Sequence, residues 1–224
     1  MNAGFQRRPT PTPSALGVAA ASKLRFSLLA LAAWAMLVSA SWAQAPARAP
    51  AGSATAIFAG GCFWCIEKDF EKLDGVIEVE SGYTAGRTPN PSYQQVSAGT
   101  TGHTEAVRVI YDPKKLGYAQ LVEYFWRHID PTVKDRQFCD VVSQYRSGIY
   151  WQNEEERRIA EASRAALVKS GRFPVIHTEL AAATTFWPAE DYHQDYYKKN
   201  PIRYGYYRKS CGRDARVEQL WSGK

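Results

Sequence analysis

The chain has 224 residues, of which 45 % are hydrophobic and 22 % are charged, with 28 Lys and Arg against 22 Asp and Glu. This length supports one folded domain with a single core rather than two. The first 43 residues contain four of the basic residues and none of the acidic ones, so the remainder carries 24 basic residues and a net charge of +2. A charge this close to zero argues against a nucleic-acid surface and favours small molecules or protein segments as partners.

The N-terminal segment, residues 1–43, has the residue order of a secretory signal peptide. Basic residues precede the apolar run from Phe26 to Ala40, and the small residues of Ser41-Trp42-Ala43 follow it. The run is short for a membrane span, so we expect cleavage after Ala43, with a retained N-terminal anchor as the alternative. The mature protein is then expected to be periplasmic or secreted, to have no membrane span and to be a monomer.

The rest of the chain divides into a linker over residues 44–53, rich in Ala and Pro, and a folded domain over residues 54–224. Apolar periodicity and turn residues predict strands over 55–59, 76–83, 105–111, 146–151 and 174–181. They predict helices over 62–73, 118–128, 153–171 with Asn153 as N-cap, and 190–199. The first six elements follow the order β-α-β-β-α-β. We therefore predict an α+β fold: a two-layer α/β sandwich with a split β-α-β (ferredoxin-like) core, a mixed sheet and a long irregular C-terminal tail from about residue 202.

The segment GCFWC holds the first two of four cysteines. Cys62 follows two glycines at the predicted start of a helix, where free backbone N–H groups and the helix dipole favour a thiolate. Cys65 lies three residues further on, so the two thiols can open and close a disulfide. A zinc site completed by Cys139, Cys211 or His193, or a pair of structural disulfides, are the alternatives.

The other two cysteines lie in segments of different character. Cys139 is next to Asp140, whose charge opposes thiolate formation, and we expect Cys139 to be buried or spare. Cys211 is flanked by Gly212 and Arg213 on a terminus that we expect to be flexible, so it can move toward an oxidised partner. A static disulfide between Cys139 and Cys211 is the alternative.

The segment GCFWCIEKDF resembles the active-site signature of the A-type peptide methionine sulfoxide reductases. The segments SGYTAGRTPNPSYQQV, GTTGHTEAVRVIYDP, DPT, QYRSGIYW and FWPAEDYHQDYYKKNP are similar to that family's later motifs and stand in the same order. The resemblance covers residues 57 to about 201. It departs at SGYTAG, where the family usually has a Gly-Gly pair, and at Val142, where a glycine is typical; a positive φ there would strain Val142.

The resemblance implies that Cys62 attacks the sulfoxide sulfur and that Glu105, in the segment TGHTE, protonates its oxygen, which otherwise leaves poorly. It also implies that Phe63 and Trp64 hold the substrate methyl group.

Further substrate-binding residues follow from the same resemblance. Tyr93 and Tyr145 would hydrogen-bond the sulfoxide oxygen, and Asp140 would lie near the substrate backbone. His193 and Tyr197 are four residues apart on one face of a predicted helix, which suits either a packed wall or part of the pocket.

The implied reaction leaves Cys62 as a sulfenic acid, which a second thiol condenses to a disulfide. Helical geometry makes Cys65 the preferred first resolving thiol, with Cys211 able to pass the disulfide outward. The substrates would be proteins or peptides that carry methionine sulfoxide, and free methionine sulfoxide stays open. Because the cycle ends in a disulfide and no nucleotide-binding fingerprint is present, the expected reductant is a thioredoxin-like protein. No cofactor or metal is expected.

Two competing functions are compatible with the cysteines alone. A thioredoxin-like disulfide oxidoreductase would explain C-F-W-C after a short strand, but it needs a different strand order and leaves Glu105, Tyr93 and Tyr145 without a role. A non-enzymatic, zinc-bearing binding module would use the three cysteines Cys62, Cys65 and Cys211 together with His193.

Overall fold

The computed structural model describes residues 50–222, so the predicted signal peptide of residues 1–43 lies outside the described residues. Six strands within this range form one sheet: β1 (Ala54–Gly60), β2 (Val76–Thr84), β3 (Thr104–Tyr111), β4 (Ser147–Trp151), β5 (Glu179–Ala182) and β6 (Trp187–Pro188).

The helices of the described residues are α1 (Phe63–Glu71), α2 (Tyr93–Ser97), α3 (Tyr118–Trp126), α4 (Glu154–Lys169), α5 (Tyr196–Lys199), α6 (Pro201–Ser210) and α7 (Arg213–Trp221). A short 3-10 turn covers Ser143–Tyr145. Asn153 caps α4 as predicted, because its side chain accepts a hydrogen bond from the Glu156 N–H.

The sheet has the strand order β5-β4-β1-β3-β2-β6. Strand β3 is antiparallel to both β1 and β2, so β1 and β2 run parallel to each other on either side of it. This is the predicted split β-α-β arrangement, with α1 as the connection. Because β4 is antiparallel to β1 and parallel to β5, the sheet is mixed, and the prediction of an α+β fold is confirmed.

The core lies mainly between one face of the sheet and the helices α1, α3 and α4. Along β1, Ala56 and Phe58 belong to this large cluster, whereas Ile57 and Ala59 belong to a smaller cluster on the other face. This alternation is the period of two that a strand imposes on its side chains. The helices therefore cover one face, and α1 starts where β1 leaves the sheet.

The turn between β1 and α1 places Cys62 at the N-cap of the helix. Gly61 has a φ of +86°, and a Cβ there would lie 2.6 Å from the Gln137 Cβ. A Cβ at Gly60 would lie 2.5 Å from the Ile66 Cδ1. Both glycines are needed because the turn is tight and because Gln137 and Ile66 pack directly against it.

Three sequence-based predictions about the C-terminal half are wrong. The strand predicted over 174–181 is confined to β5, because residues 174–178 make loop contacts such as the bond from His177 N–H to the Pro131 carbonyl. The helix predicted over 190–199 begins only at Tyr196, because Asp195 has a left-handed φ of +53°. The tail predicted to be irregular from about residue 202 forms α6 and α7, which tertiary contacts of Tyr204 and Arg213 hold in place. Between residues 50 and 222, no helix has the length and apolarity that crossing a membrane would require.

Candidate active site

The two cysteines of GCFWC are both reduced and both buried, with 5 % of Cys62 and 2 % of Cys65 exposed. Burial raises the pKa of the Cys62 thiol well above its usual range, and its hydrogen bond with Cys65 acts in the same direction. That hydrogen bond lowers the pKa of Cys65 to about 7. The prediction that the helix N-terminus favours a Cys62 thiolate is therefore wrong for the resting protein, because desolvation outweighs the helix dipole.

Glu105 lies at the start of β3 and is only 2 % exposed. Its Oε2 accepts a hydrogen bond of 3.0 Å from the backbone N–H of Phe63, the residue that follows Cys62. Burial raises the pKa of Glu105 to about 8, against the opposing effect of this hydrogen bond. The carboxyl group is therefore largely protonated at neutral pH and can donate a proton next to the Cys62 turn.

An aromatic wall adjoins the cysteines and is built on Trp64. The Trp64 indole stacks on Tyr196 at 3.7 Å between ring centroids, with 9° between the planes. Its Nε1–H donates to His193 Nδ1 at 3.1 Å, and burial lowers the pKa of His193. His193 is therefore a neutral imidazole whose ring lies 5.0 Å from that of Phe63. The predicted methyl-binding pair Phe63 and Trp64 thus shares one wall with His193.

Tyr93 and Tyr145 reach the same region from different parts of the chain. Tyr93 follows the capping residue Ser92 at the start of α2, and its ring lies 4.5 Å from His193. Tyr145 ends the 3-10 turn and packs against the buried cluster that contains Cys62. Burial raises the pKa of both phenols, so each keeps its hydroxyl proton available for donation.

Asp140 is partly buried and accepts a hydrogen bond of 2.6 Å from the Tyr207 hydroxyl. Burial raises the pKa of Asp140, and Tyr207 and Arg213 oppose this effect. Tyr207 also packs against the buried cluster that contains Cys62 and Cys65. It is a site residue that sequence reasoning missed, and it links Asp140 to the cysteine pair.

Tyr197 packs against the same buried cluster as Tyr145, but its hydroxyl is bound to a group on α1. Its hydroxyl donates to Glu71, and its ring lies 5.9 Å from that of Tyr204. Because helix α5 starts after His193, the expectation that His193 and Tyr197 share a helical face is wrong. His193 lies in the aromatic wall, whereas the Tyr197 hydroxyl is bound to a carboxylate on α1.

Helices α6 and α7 contribute three further groups that sequence reasoning missed. Tyr204 is buried in one cluster with Cys62 and Cys65, and Arg208 donates a hydrogen bond of 3.0 Å to the Tyr204 hydroxyl. Arg213, 2 % exposed, donates to the carbonyls of Gly60 at 3.1 Å and His128 at 2.9 Å. Pro201 at the first turn of α6 was the available signal for a helix here, because proline favours that position.

Cys139 and Cys211 form a disulfide across 72 residues. The bond joins the loop that carries Asp140 to the junction of α6 and α7. Cys139 is exposed, so the prediction that it is buried or spare is wrong, and so is the expectation of a freely swinging Cys211. Among the described residues, the group that could hold a metal is Cys139, Asp140 and Cys211, and the disulfide engages two of its three donors. The predicted zinc set of Cys62, Cys65, Cys211 and His193 is not assembled.

The two departures from the family's pattern differ in conformation. Val142 has a φ of −160°, which is extended backbone, so the strain foreseen for this residue is absent. Ala85, in SGYTAG, has a φ of +60°, the left-handed region that favours glycine. Of these two departures, the conformational cost therefore falls on Ala85 and not on Val142.

Comparison with known proteins agrees with this geometry. The sequence profile of the family described as "Peptide methionine sulfoxide reductase" matches residues 54–224. Peptide methionine sulfoxide reductase MsrA of Listeria innocua is 52 % identical over 170 residues, which covers 75 % of this chain and 96 % of that protein. MsrA 2 of Caulobacter vibrioides is 48 % identical over 181 residues, or 81 % of this chain and 92 % of that protein.

Solved structures give the same result. Methionine sulfoxide reductase A of Corynebacterium diphtheriae is 36 % identical with a TM-score of 0.61, covering 68 % of this chain and 77 % of that one. Reduced Mxr1 of Saccharomyces cerevisiae is 32 % identical with a TM-score of 0.63, covering 68 % and 88 %. The thioredoxin-like alternative is overturned, since the matched family spans the whole folded domain. The chain belongs to the A-type peptide methionine sulfoxide reductase family.

Proposed function

We propose that this protein reduces methionine-S-sulfoxide in proteins to methionine, with Cys62 as the nucleophile and Glu105 as the proton donor. Family membership supplies the reaction. The observation that carries the two assignments is the 3.0 Å hydrogen bond from Phe63 N–H to Glu105, which puts a buried carboxyl group one residue from a buried cysteine. A nucleophile and an acid held this close can act on adjacent atoms of one S=O bond.

Glu105 provides the acid step. The sulfoxide oxygen is a poor leaving group unless it is protonated, and a carboxyl group with a pKa of about 8 holds its proton at neutral pH. Proton donation to oxygen makes the sulfur more electrophilic as Cys62 attacks it. The released product is methionine, and Cys62 keeps the oxygen as a sulfenic acid.

Cys62 provides the nucleophilic step from a protonated resting state. Its thiol hydrogen-bonds Cys65, whose pKa is about 7, so the pair holds a single proton over much of the neutral range. Attack on the sulfoxide requires Cys62 to lose this proton. The resting protein is therefore expected to keep Cys62 unreactive toward oxidants until a sulfoxide lies against it.

The aromatic wall supports the choice of substrate. The rings of Phe63 and Trp64 are suited to an apolar methyl group, and the protonated hydroxyls of Tyr93 and Tyr145 are suited to the sulfoxide oxygen. Asp140 is followed in the chain by exposed loop residues, and this position suits contact with the backbone of a peptide substrate. His193 then acts by holding Trp64.

Cys65 is proposed as the first resolving thiol and the exposed Cys139–Cys211 disulfide as the place where the reductant acts. Burial of Cys62 and Cys65 hides any disulfide between them from a protein reductant, whereas Cys139 is exposed. A thioredoxin-like protein would reduce the Cys139–Cys211 disulfide to two thiols. The freed Cys211 thiol would attack a Cys62–Cys65 disulfide, and Cys139 would then attack the mixed disulfide at Cys211, so that Cys62 and Cys65 return to thiols and the Cys139–Cys211 disulfide forms again.

The function is tested by offering methionine sulfoxide peptides of each sulfur configuration to the protein with dithiothreitol. We expect turnover of the S form only, none with Cys62→Ser and a large loss with Glu105→Gln. Glu123→Gln, an exposed carboxylate on α3, is the matched control and should keep full activity. Full activity of Cys62→Ser would disprove the proposed nucleophile.

The resolving step is tested by mass mapping of the protein after turnover without reductant. A Cys62–Cys65 disulfide is expected as the first product. A dominant Cys62–Cys211 disulfide with Cys65 free would overturn the assignment of Cys65.

We also propose that the protein is exported, on the strength of the basic, apolar and small segments within residues 1–43. Expression of the full chain in a bacterium with two membranes, followed by fractionation and N-terminal sequencing, should give periplasmic protein that begins at Gln44. Leu31→Arg, which interrupts the apolar run, should retain the protein in the cytoplasm. Wild-type protein found in the cytoplasm with Met1 intact would contradict export.

A further inference from the structure

We propose that Tyr204 and Arg208 of α6 hold the Cys65 sulfur as the thiolate that attacks the oxidised Cys62. The inference rests on the proposed function, because it takes Cys65 as the first resolving thiol. It assigns to the C-terminal helices a chemical step in addition to their packing. In this account Tyr204 touches the reacting sulfur, and Arg208 acts through Tyr204 as a positioning residue.

The contacts form a continuous chain from the surface of α6 to the sulfur. Tyr204 is 2 % exposed and packs with Cys65 in one buried cluster, where its hydroxyl interacts with the Cys65 side chain. Arg208, one helical turn later, donates to the Tyr204 hydroxyl at 3.0 Å and to the Cys65 carbonyl at 3.4 Å. Because Arg208 donates to the phenol oxygen, the phenol proton is left for donation to the sulfur.

The guanidinium of Arg208 is itself fixed by two carboxylates. Its nitrogens lie 3.0 and 3.1 Å from the oxygens of Asp69, and its Nε lies 3.0 Å from Asp214. Arg213 of α7 also stabilises negative charge on Cys65. A buried thiolate needs such partners, since burial alone would drive it to the neutral thiol.

The groups that act against a Cys65 thiolate are two carboxyls. Asp69 raises the pKa of Cys65 but is paired with Arg208, and Arg213 lies 3.8 Å from it. Glu105 interacts with Cys65 across the site, yet its own raised pKa keeps it largely neutral at pH 7. The remaining neighbour, Tyr207, is a phenol bound to Asp140. Among the charged groups that act on Cys65, Arg213 and Arg208 therefore favour the thiolate and Asp69 opposes it.

The resolving step shows why Tyr204 is needed. In the resting state the largest stabilisation of the Cys65 thiolate comes from the Cys62 thiol. Once Cys62 is a sulfenic acid, that thiol donor no longer exists, whereas Tyr204 and Arg208 are unchanged. The Cys65 thiolate then attacks the Cys62 sulfur, the S–S bond forms, the S–O bond breaks, and the leaving hydroxide takes up a proton to become water.

The test follows the sulfenic acid in single-turnover mixing, without reductant, over pH 5 to 10. Methionine release reports the first step, and trapping of the sulfenic acid with an electrophilic reagent reports its decay. The variants are Tyr204→Phe, Arg208→Met and Arg208→Lys, with Tyr206→Phe as the matched control because Tyr206 is 76 % exposed on the same helix. Tyr204→Phe removes one oxygen from a ring that stays buried, so it keeps the test usable if Arg208→Met fails to fold.

For Tyr204→Phe we expect the midpoint of the decay-rate profile to rise by about one pH unit, the effect of one lost hydrogen bond to a thiolate. Below the midpoint the decay should slow about threefold, and well above it the decay should become faster, because a more basic thiolate is a better nucleophile. Methionine release should change less than twofold. Arg208→Met should shift the midpoint in the same direction, and Arg208→Lys should restore part of the shift.

An unchanged midpoint in Tyr204→Phe, whatever the height of the profile, would overturn the inference and leave Tyr204 as a packing residue. Failure of the proposed function is recognised separately with Cys65→Ser. If that variant loses its sulfenic acid as fast as the wild type, Cys65 is not the resolving thiol. If its sulfenic acid persists while Tyr204→Phe keeps the wild-type midpoint, only the role of Tyr204 and Arg208 fails.

Discussion

Two segments of the chain meet at Cys65 and differ in how much of their role can be inferred from the sequence. The first is the turn and helix around GCFWC, whose glycines, cysteines and aromatic residues carry a local signature. The second is the pair of helices α6 and α7, residues 201–221, which have no such signature. The first segment supplies the reacting sulfurs, and the second supplies the hydrogen bonds and charges that set their protonation.

The cysteine nucleophile and the groups that form its electrostatic environment are therefore encoded at opposite ends of this chain. The groups that contact the cysteines from α6 lie 139 or more positions later in the sequence; they are Tyr204, Tyr207 and Arg208. Because these contacts are buried, substitutions in the second segment should change both stability and reactivity. Substitutions at the exposed positions of the same helices should change neither.

The largest stability effect in the second segment is expected for Arg213→Met. This change removes the buried hydrogen bonds to the carbonyls of Gly60 and His128 and one of the cations near Asp69. We expect a loss of about 3 kcal/mol in the free energy of unfolding, measured by urea denaturation. Arg203→Met, at an exposed position of α6, should stay within about 0.5 kcal/mol. Equal effects of the two changes would remove the distinction between buried and exposed positions of this segment.

Tyr207→Phe tests whether the second segment affects the rate of the reaction as well as the stability of the fold. The variant loses the hydrogen bond of 2.6 Å to Asp140 and the contact of the hydroxyl with Cys62. We expect kcat/KM for a methionine-S-sulfoxide peptide to fall about tenfold, the effect of about 1.4 kcal/mol of transition-state stabilisation. Tyr206→Phe should change it less than twofold, and an unchanged kcat/KM in Tyr207→Phe would confine this helix to packing.

Glu67→Gln examines the connection between α1 and the C-terminal region. Glu67 is buried, its Oε1 accepts the Asp195 N–H at 3.0 Å, and burial raises its pKa to about 8. Because its pKa in the folded state lies above the unfolded value, the stability it contributes is lost as the pH rises through 8. Between pH 7 and pH 9 the wild type should lose about 1.4 kcal/mol more than Glu67→Gln, measured by denaturant unfolding. Parallel pH dependence of the two proteins would contradict the raised pKa.

The smallest effect concerns the two departures from the family's pattern, Ala85 and Val142. Ala85 has a positive φ, so Ala85→Gly should raise the free energy of unfolding by about 0.5 kcal/mol. Val142→Gly should give no gain, because Val142 is already extended. Thermal unfolding of both variants checks this, and a gain at Val142 alone would show that the strain is assigned to the wrong loop.

Between residues 54 and 126 the sequence predicts the strands and the helices α1 and α3 to within about two residues because their apolar periodicity is regular, but it misses the five-residue α2. It fails where the backbone is decided by distant contacts. Asp195 adopts a left-handed conformation with its N–H bound to Glu67, and this delays the start of α5. Helices α6 and α7 form although Gly205 and many polar residues make their pattern weak, because Tyr204 and Arg213 are buried against the site.

For the site, sequence motifs predict Cys62, Glu105 and the surrounding aromatic residues as a set, and the structure brings most of them together. Residue spacing cannot predict that Cys139 pairs with Cys211, since the two are 72 residues apart and several pairings are possible. Nor can it give the sign of a pKa shift. The N-terminus of α1 favours a Cys62 thiolate, but only the folded structure shows that burial outweighs it.

The most direct test of the central claim, that Cys62 takes the oxygen from the sulfoxide, uses the Cys65→Ser variant in a single turnover with dimedone present. Peptide mass mapping then locates the trapped sulfenic acid, and the methionine released is counted per chain. We expect about one methionine per chain and one dimedone adduct, carried by Cys62. Methionine release with Cys62 unmodified would contradict it.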